Sequence, residues 1–256
     1  MKIKSFVFII ISAIFWSCSS SDEVSELGPE ERLQYAIQIY NDEDYQEALD
    51  EFQSLILQYP GSAIVDDAQY YLGLTRYQRE EYILAAYEFS KLIKSMPASE
   101  YVDDSQFLLA ETYYQLSPNY NLDQQYTLKA IEELQAFIDF FPLNEKVGEA
   151  EKKINELNEK LARKTYNIAQ IYEKMEFYTA SLKYYDEVVE TYHDTPYASQ
   201  ALYGKINLLM NRERQDEALK EMVKFLKLFP EDQNASEVEQ MKNSLEAILK
   251  GGFSSN

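Results

Sequence analysis

The sequence contains little of several residue types on which common active sites depend. Its 256 residues include one cysteine, one histidine, one tryptophan, seven glycines and seven prolines. A single cysteine excludes an intrachain disulfide. One histidine and one cysteine are too few side chains for a typical nucleophile–base pair or zinc site. The sequence also has no glycine-rich phosphate loop. We therefore expect no enzymatic activity, no metal and no cofactor.

Basic residues are also scarce. Asp and Glu number 44 against 24 Lys and Arg, so the net charge is −20, which argues against a surface for nucleic acid or anionic lipid. Residues 29–142 contain 21 acidic and 6 basic residues, whereas residues 161–256 contain 15 and 12. Two regions that differ so much in charge are expected to meet different partners, and a solvated acidic exterior is the alternative.

Helix-forming residues dominate what is present. Ala, Leu, Glu, Lys, Gln and Tyr are abundant, and β-branched runs are scarce after the first fourteen residues. This composition predicts an all-α protein.

The beginning of the chain has the pattern of an exported lipoprotein. Two lysines precede an apolar run from Phe6 to Trp16, and Ser17-Cys18 follows directly. Eleven residues are too few to span a bilayer, which needs about 20, and are typical of a signal peptide. The small residue before a lone cysteine resembles a bacterial lipoprotein processing site. That resemblance implies a signal peptide over 1–17, lipidation of Cys18 and a flexible tether over 18–28, and Ser19 implies outer-membrane retention. An ordinary signal peptide with an incidental cysteine is the alternative.

One pattern of small and aromatic residues returns at an interval of 37 residues. Within residues 66–97, a glycine is followed at fixed distances by an alanine, a phenylalanine and a proline, and the same types occur 37 residues earlier. The equivalent positions are Ala36/Gly73, Ala48/Ala85, Phe52/Phe89 and Pro60/Pro97. In the tetratricopeptide (TPR) pattern a small residue lies where two helices cross, and a proline closes the second helix. The chain resembles a TPR protein with a period of 37 rather than 34.

A third unit keeps this register only in its first helix. Ala110 lies 37 residues after Gly73, but the second-helix residues come eight positions late, which predicts an insertion at residues 116–127. Turn-forming residues within the insertion support a loop there. The displaced second-helix residues are Ala130, Leu134, Phe137 and Pro142.

Two further units follow a long helix. Apolar residues at alternating spacings of three and four predict one amphipathic helix from about residue 144 to about residue 175. We predict an all-α, TPR-like solenoid of about five helix-turn-helix repeats in two lobes, residues 29–143 and 144–256, joined by the long helix. A capping helix over residues 236–250 closes the second lobe. Its two repeats are marked by Ser181, Tyr185, Ala218, Met222 and Phe225.

The first helices of a TPR array line its concave groove, so residues 37 apart are expected to stack there. The rows are Leu33/Tyr70/Phe107, Tyr40/Tyr77/Tyr114 and Asn41/Gln78/Gln115, with Leu74 between them. A row of tyrosines beside a row of amides suits an extended peptide, because the rings supply apolar contact and the amides pair with its backbone. We predict a peptide-binding groove formed by these ten residues. Packing between helices is the alternative for the tyrosines.

The lipoprotein signal, the five units, the insertion and the long helix together resemble the BamD (ComL) family. Members are lipoprotein subunits of the outer-membrane β-barrel assembly machinery. The segments that carry the resemblance are residues 66–116 and 121–142. It implies a protein anchored by lipid at the periplasmic face of the outer membrane. Its N-terminal units would bind unfolded outer-membrane proteins, which commonly end in an aromatic residue, and its C-terminal units would dock on the periplasmic domains of the BamA-type barrel insertase.

Two other functions stay open at this point. One is a general periplasmic TPR adaptor lipoprotein, such as a secretin pilot or a division-linked scaffold, which should lack the insertion and the long helix. The other is a glycan-binding surface lipoprotein. Such proteins are longer and stack sugars on tryptophan, whereas the one tryptophan here, Trp16, lies in the expected signal peptide.

Overall fold

The computed structural model describes residues 27–252, so the expected signal peptide and Cys18 lie outside the described residues. This part of the chain forms eleven α-helices and no strand. None of these helices has the length and apolar character needed to cross a membrane. The helices are α1 (Pro29–Asn41), α2 (Tyr45–Gln58), α3 (Val65–Gln78), α4 (Tyr82–Ser95), α5 (Val102–Leu116), α6 (Gln125–Phe140), α7 (Val147–Lys174), α8 (Tyr178–Thr191), α9 (Pro196–Asn211), α10 (Gln215–Leu228) and α11 (Ala235–Gly252).

The helices form two compact units, the first ending at Gln115 and the second beginning at Leu116. In the first unit α1, α2, α3 and α4 pack in succession, and α1 also contacts α3. In the second unit α6 to α11 pack in succession, and α7 also contacts α9. The lobe boundary predicted from the sequence follows residue 143, later in the chain than this division, and the lobe assignment stays a prediction.

The predicted all-α repeat fold is confirmed, and the packing explains its 37-residue register. The repeated alanines and phenylalanines of the first two helix pairs are fully buried, at 0% exposure. A Cβ atom added to Gly73 would lie 2.6 Å from the ring of Phe89. That distance is far below van der Waals contact, so a glycine at this position lets α3 approach α4 closely.

The turn inside four of the helix pairs has the same left-handed residue. Glu43, Glu80, Glu176 and Glu213 have φ between 58° and 63°, and each stands between the first and the second helix of its pair. L-residues reach this region at a cost that glycine avoids. The recurrence of glutamate there shows one turn geometry used four times, twice at a spacing of 37 residues.

The predicted insertion contains the loop between α5 and α6, which carries its own hydrogen bonds. The Gln124 amide donates to the carbonyl oxygens of Asn119 at 2.8 Å and Leu122 at 3.0 Å. Its oxygen accepts from the Thr127 hydroxyl at 2.7 Å. Because Gln124 is buried, at 6% exposure, these bonds give the loop a defined conformation.

Three cations of α7 hold the same loop from outside. Lys160 donates to the Ser117 hydroxyl at 2.8 Å, and Lys164 donates to a loop carbonyl oxygen. The guanidinium of Arg163 lies 4.1 Å from the ring centroid of Tyr120, a cation–π contact. Burial lowers the pKa of Lys160. The loop and the middle of α7 therefore form one ordered segment of the second unit.

A buried cation lies in the core of the second unit. Lys205, at 9% exposure, donates to carboxylates of Asp186 on α8 and Glu221 on α10. Burial alone would lower the pKa of this ammonium, but its hydrogen bonds and attraction to the two carboxylates outweigh burial, so the pKa is raised. A charge paired in this way joins three helices around the aromatic core that contains Tyr185 and Phe225.

Candidate peptide-binding face

The predicted groove residues lie on the first helices of the first unit, α1, α3 and α5. The hydroxyl of Tyr77 on α3 lies 3.5 Å from a carboxylate oxygen of Glu111 on α5, and α1 packs on α3. The three helices therefore stand side by side. We call the surface that they share the tyrosine–amide face, formed by Tyr40, Tyr70, Tyr77, Tyr114, Asn41, Gln78 and Gln115.

Burial separates the ten predicted residues into three groups. Leu33 and Phe107 are 4% and 7% exposed, so their side chains lie in the interior rather than on the surface. Leu74 and the four tyrosines are half-buried, and the three amides are exposed. The row predicted from Leu33, Tyr70 and Phe107 thus presents only its tyrosine.

The tyrosines of one first helix lie near the amides of the next. Burial raises the pKa of Tyr40, and a side-chain hydrogen bond with Gln78, from the next repeat, partly offsets that rise. Tyr77 has the same relation to Gln115. Each pair is 38 residues apart, one more than the repeat. A primary amide offers two donor hydrogens and an acceptor oxygen, so these exposed amides have capacity for hydrogen bonds to a ligand.

Aromatic contacts fix the tyrosines in place. Tyr70 stacks on Tyr101, with ring centroids 4.4 Å apart and planes 13° apart, and the Tyr101 hydroxyl donates to Asp67 at 2.7 Å. Tyr40 and Tyr70 each meet Tyr71 edge-on, at 5.6 and 5.7 Å. Such pairs contribute about 0.5–1.5 kcal/mol beyond burial, which makes this surface rigid.

Carboxylates lie near two of the four tyrosines, Tyr70 and Tyr77. Burial, and next the charge of Glu111, raise the pKa of Tyr77 to about 12. Burial, and next the charge of Asp104, raise the pKa of Tyr70. Gln115 donates to Glu111 at 2.9 Å. The face is therefore aromatic and amide-rich, with carboxylates beside Tyr70 and Tyr77.

Three residues of this surface were missed by the sequence reasoning. Tyr71 and Tyr101 carry ring contacts, and Glu111 accepts bonds from both predicted rows. A signal existed for Glu111, because stepping by 37 from Ile37 and Leu74 reaches it, and a carboxylate in an apolar column is conspicuous. No such signal existed for Tyr101, whose equivalent 37 residues earlier is the buried Ile64.

No group of three metal-ligating side chains comes together among residues 27–252. His193 is exposed in the turn after α8, with its imidazole 3.3 Å from the carboxylate of Asp194.

The chain is similar to proteins of known family. A family model described as YfiO, outer membrane lipoprotein, matches residues 27–221. The outer membrane protein assembly factor BamD of Rickettsia prowazekii (strain Madrid E) is 24% identical over 214 residues, which cover 83% of this chain and 85% of that protein.

Solved TPR structures are also similar to it. The thermophilic TPR protein TTC0263 of Thermus thermophilus is 17% identical, with a TM-score of 0.37, over 86% of this chain and 100% of that one. The TPR2AB-domain:pHSP90 complex of yeast Sti1 is 14% identical, with a TM-score of 0.43, over 88% of this chain and 86% of that one. The family model covers well over half of the chain, which confirms the resemblance found in its repeats: this protein belongs to the YfiO (BamD-type) family of outer membrane lipoproteins.

Proposed function

We propose that this protein is a non-enzymatic lipoprotein of the outer-membrane β-barrel assembly complex. It is anchored at the periplasmic face by lipid on Cys18, binds unfolded outer-membrane proteins on the tyrosine–amide face, and docks on the BamA-type insertase through its C-terminal repeats. The observation that carries the client-binding part is the row of half-buried tyrosines beside exposed amides on α1, α3 and α5.

The chemistry of this face suits an extended polypeptide. Tyrosine supplies contact area with few rotatable bonds, so little conformational entropy is lost on binding. The amides can pair with backbone N–H and C=O groups, which every unfolded client presents regardless of its sequence. Because stacking and edge contacts already order the rings, binding requires little rearrangement.

The docking part rests on family membership and on charge. Residues 161–256 are nearly balanced in charge, whereas residues 29–142 are strongly acidic. A client site and an insertase site in differently charged regions do not compete for the same partner.

Client binding is tested with fluorescent peptides taken from unfolded outer-membrane proteins. Tyr77→Ala and Tyr114→Ala should weaken binding while helicity is kept. Tyr87→Ala is the matched control, because Tyr87 is a 62% exposed tyrosine on α4 of the same unit. Unchanged peptide affinity together with a lower melting temperature would show that Tyr77 and Tyr114 pack between helices and do not bind the peptide.

Assembly is tested by affinity capture from solubilised outer membrane. Recovery of a large barrel protein with periplasmic repeats supports the proposal. Recovery of a secretin or a division protein in its place would favour a general adaptor and overturn the assembly role.

A further inference from the structure

Helix α4 differs in charge from the other helices of the first unit. It carries two lysines, Lys91 and Lys94, and a single carboxylate, Glu88. Glu88 is buried, at 8% exposure, and accepts a hydrogen bond from the Gln69 amide at 2.7 Å. Each of α1, α2, α3 and α5 contains more acidic than basic residues. The charge that α4 presents to solvent is therefore positive, within an acidic unit.

The two lysines of α4 are the free cations of this unit. Residues 27–115 contain no other lysine, and no carboxylate of the described residues pairs with Lys91 or Lys94. The three arginines of the unit, by contrast, all bond carboxylates. These pairs are Arg32–Glu51, Arg76–Glu81 and Arg79–Glu81. The two lysines are thus available to an anionic partner.

The same side of α4 exposes apolar side chains. Ile83, Leu84 and Tyr87 are 62%, 45% and 62% exposed. Positions 83, 87, 91 and 94 follow one another at spacings of four, four and three, so they share one side of the helix. We call this surface the α4 outer face, formed by Ile83, Leu84, Tyr87, Lys91 and Lys94. It extends about 17 Å along the helix axis, with apolar residues first and lysines at the end.

The chain before α1 keeps this face near the expected lipid anchor. Arg32, in the first turn of α1, donates to Gln58, the last residue of α2, at 2.6 Å, so α1 begins where α2 ends. Because α3 follows α2 through a short loop and α4 returns along α3, Lys94 lies at that same end of the unit. From Cys18 to residue 27 the chain makes nine residue steps, which span at most about 32 Å.

We propose that the α4 outer face rests on the phospholipid surface of the membrane that holds the anchor. The proposal rests on the lipid anchor of the proposed function and adds a second contact, which sets the side of the first unit that faces the bilayer. The apolar residues and Tyr87 enter the headgroup region, where amphipathic rings and apolar side chains are favoured. Lys91 and Lys94 reach headgroup phosphates through their long alkyl stems.

The charge of the whole chain does not prevent this contact. A net charge of −20 repels an anionic surface, but at physiological salt the repulsion falls off over about 8 Å. The groups nearest the membrane therefore decide the interaction, and on this face they are lysines. The anchor makes the contact intramolecular, so that a weak surface affinity is sufficient.

The experiment places a tryptophan on the α4 outer face of the full, lipidated chain. The one native tryptophan lies in the expected signal peptide, so Tyr87→Trp supplies a single reporter in the mature protein. The protein is reconstituted in vesicles of phosphatidylcholine and phosphatidylglycerol at about three to one. Brominated phospholipid should quench this tryptophan, and its emission should shift to shorter wavelength. Gln38→Trp, at an exposed position of α1, is the control and should be neither quenched nor shifted.

Lysine variants separate the surface contact from the anchor. In the Tyr87→Trp background, Lys91→Gln with Lys94→Gln should lower the ratio of docked to undocked protein about 25-fold, since each lysine near an anionic surface contributes about fivefold. The protein should still float with the vesicles. Lys220→Gln with Lys227→Gln is the matched control, because both are exposed lysines on one helix, α10; this pair should leave the quenching unchanged.

Chemical labelling tests the contact without any substitution. A water-soluble acylating reagent should modify Lys91 and Lys94 more slowly on vesicles that contain phosphatidylglycerol than on phosphatidylcholine alone. The rate at Lys220 should be the same on both. Equal rates at Lys91 and Lys94 on the two kinds of vesicle would contradict the headgroup contact.

The two proposals fail differently. If the protein floats but the reporter of Tyr87→Trp behaves like that of Gln38→Trp, the anchor stands and the membrane contact is wrong, which leaves the α4 outer face to an acidic protein partner. If the protein does not float, both are wrong. Because peptide binding in solution involves no membrane, Tyr87→Ala remains a control for the tyrosine–amide face in either case.

Discussion

Gly73→Ala tests the packing on which the repeat depends. The added methyl carbon would lie 2.6 and 2.8 Å from two carbons of the Phe89 ring, and Phe89 is fully buried. Overpacking a filled core costs about 1–3 kcal/mol, whereas alanine in place of glycine in a helix gains up to about 1 kcal/mol. We expect a net loss of about 1–2 kcal/mol in the free energy of unfolding.

Two other glycines calibrate the measurement. A Cβ on Gly204 would lie 3.0 Å from the ring of Tyr185, and a Cβ on Gly148 would meet nothing within 4 Å. Gly148→Ala should therefore be neutral or stabilising, with Gly204→Ala between it and Gly73→Ala. Urea unfolding of all three variants gives the order from the midpoints, provided that the slopes agree.

A double mutant isolates the contact between the two helices. Phe89→Leu removes part of the ring that the new methyl group meets. The double mutant should therefore lose less free energy of unfolding than the sum of the two single-mutant losses. If Gly73→Ala is stabilising by as much as Gly148→Ala, or if the two costs simply add, then α3 and α4 do not cross at Gly73 and the register is misplaced.

Three further outcomes are expected. Lys205→Met leaves two carboxylates without their shared cation and should lower the free energy of unfolding by about 3–5 kcal/mol. The folded pKa of Lys205 is raised above its ordinary value of 10.5. The stability that Lys205 contributes is therefore fully present below pH 10.5 and is lost as pH rises through the folded pKa. The urea midpoints of wild type and variant should converge at alkaline pH, and a constant difference would contradict the pairing. Glu80→Gly relieves a left-handed φ of 58°. After the entropy cost of glycine, it should raise the free energy of unfolding by about 0.5–1 kcal/mol. A lower melting temperature would show that the turn is unstrained. Cys18→Ala should release the protein from membranes on fractionation, and a variant that stays in the outer membrane would disprove the lipid anchor.

The sequence was sufficient to predict the fold because packing repeats with the chain. Ala48 and Ala85, and likewise Phe52 and Phe89, are fully buried at 37-residue intervals, so residue type alone reports their environment. The long helix was predicted over about 144–175 and extends from Val147 to Lys174. Its run of apolar residues contains neither a proline nor the turn signals that end the other helices.

The candidate site was less predictable, because its contacts join positions that are not repeat-equivalent. Tyr77 meets Glu111 and Tyr101 meets Asp67, each across 34 residues. A 37-residue step aligns rows along the array but not the diagonal pairs between neighbouring helices. The burial of Leu33 and Phe107 depends on how closely α1 and α5 pack against their neighbouring helices. The spacing of residues in the sequence does not report this packing.

The length of α7 has a consequence for how the second unit unfolds. In a simple helical array each repeat contacts only its neighbours, so repeats at the ends open independently. Here 28 residues, about 42 Å of continuous helix, contact α6, α8 and α9 and bind the insertion loop through Lys160 and Lys164. Opening any of these neighbours exposes part of the same helix. The second unit should therefore open as one cooperative block from α6 to α9, and a single repeat cannot be deleted from it without cutting α7.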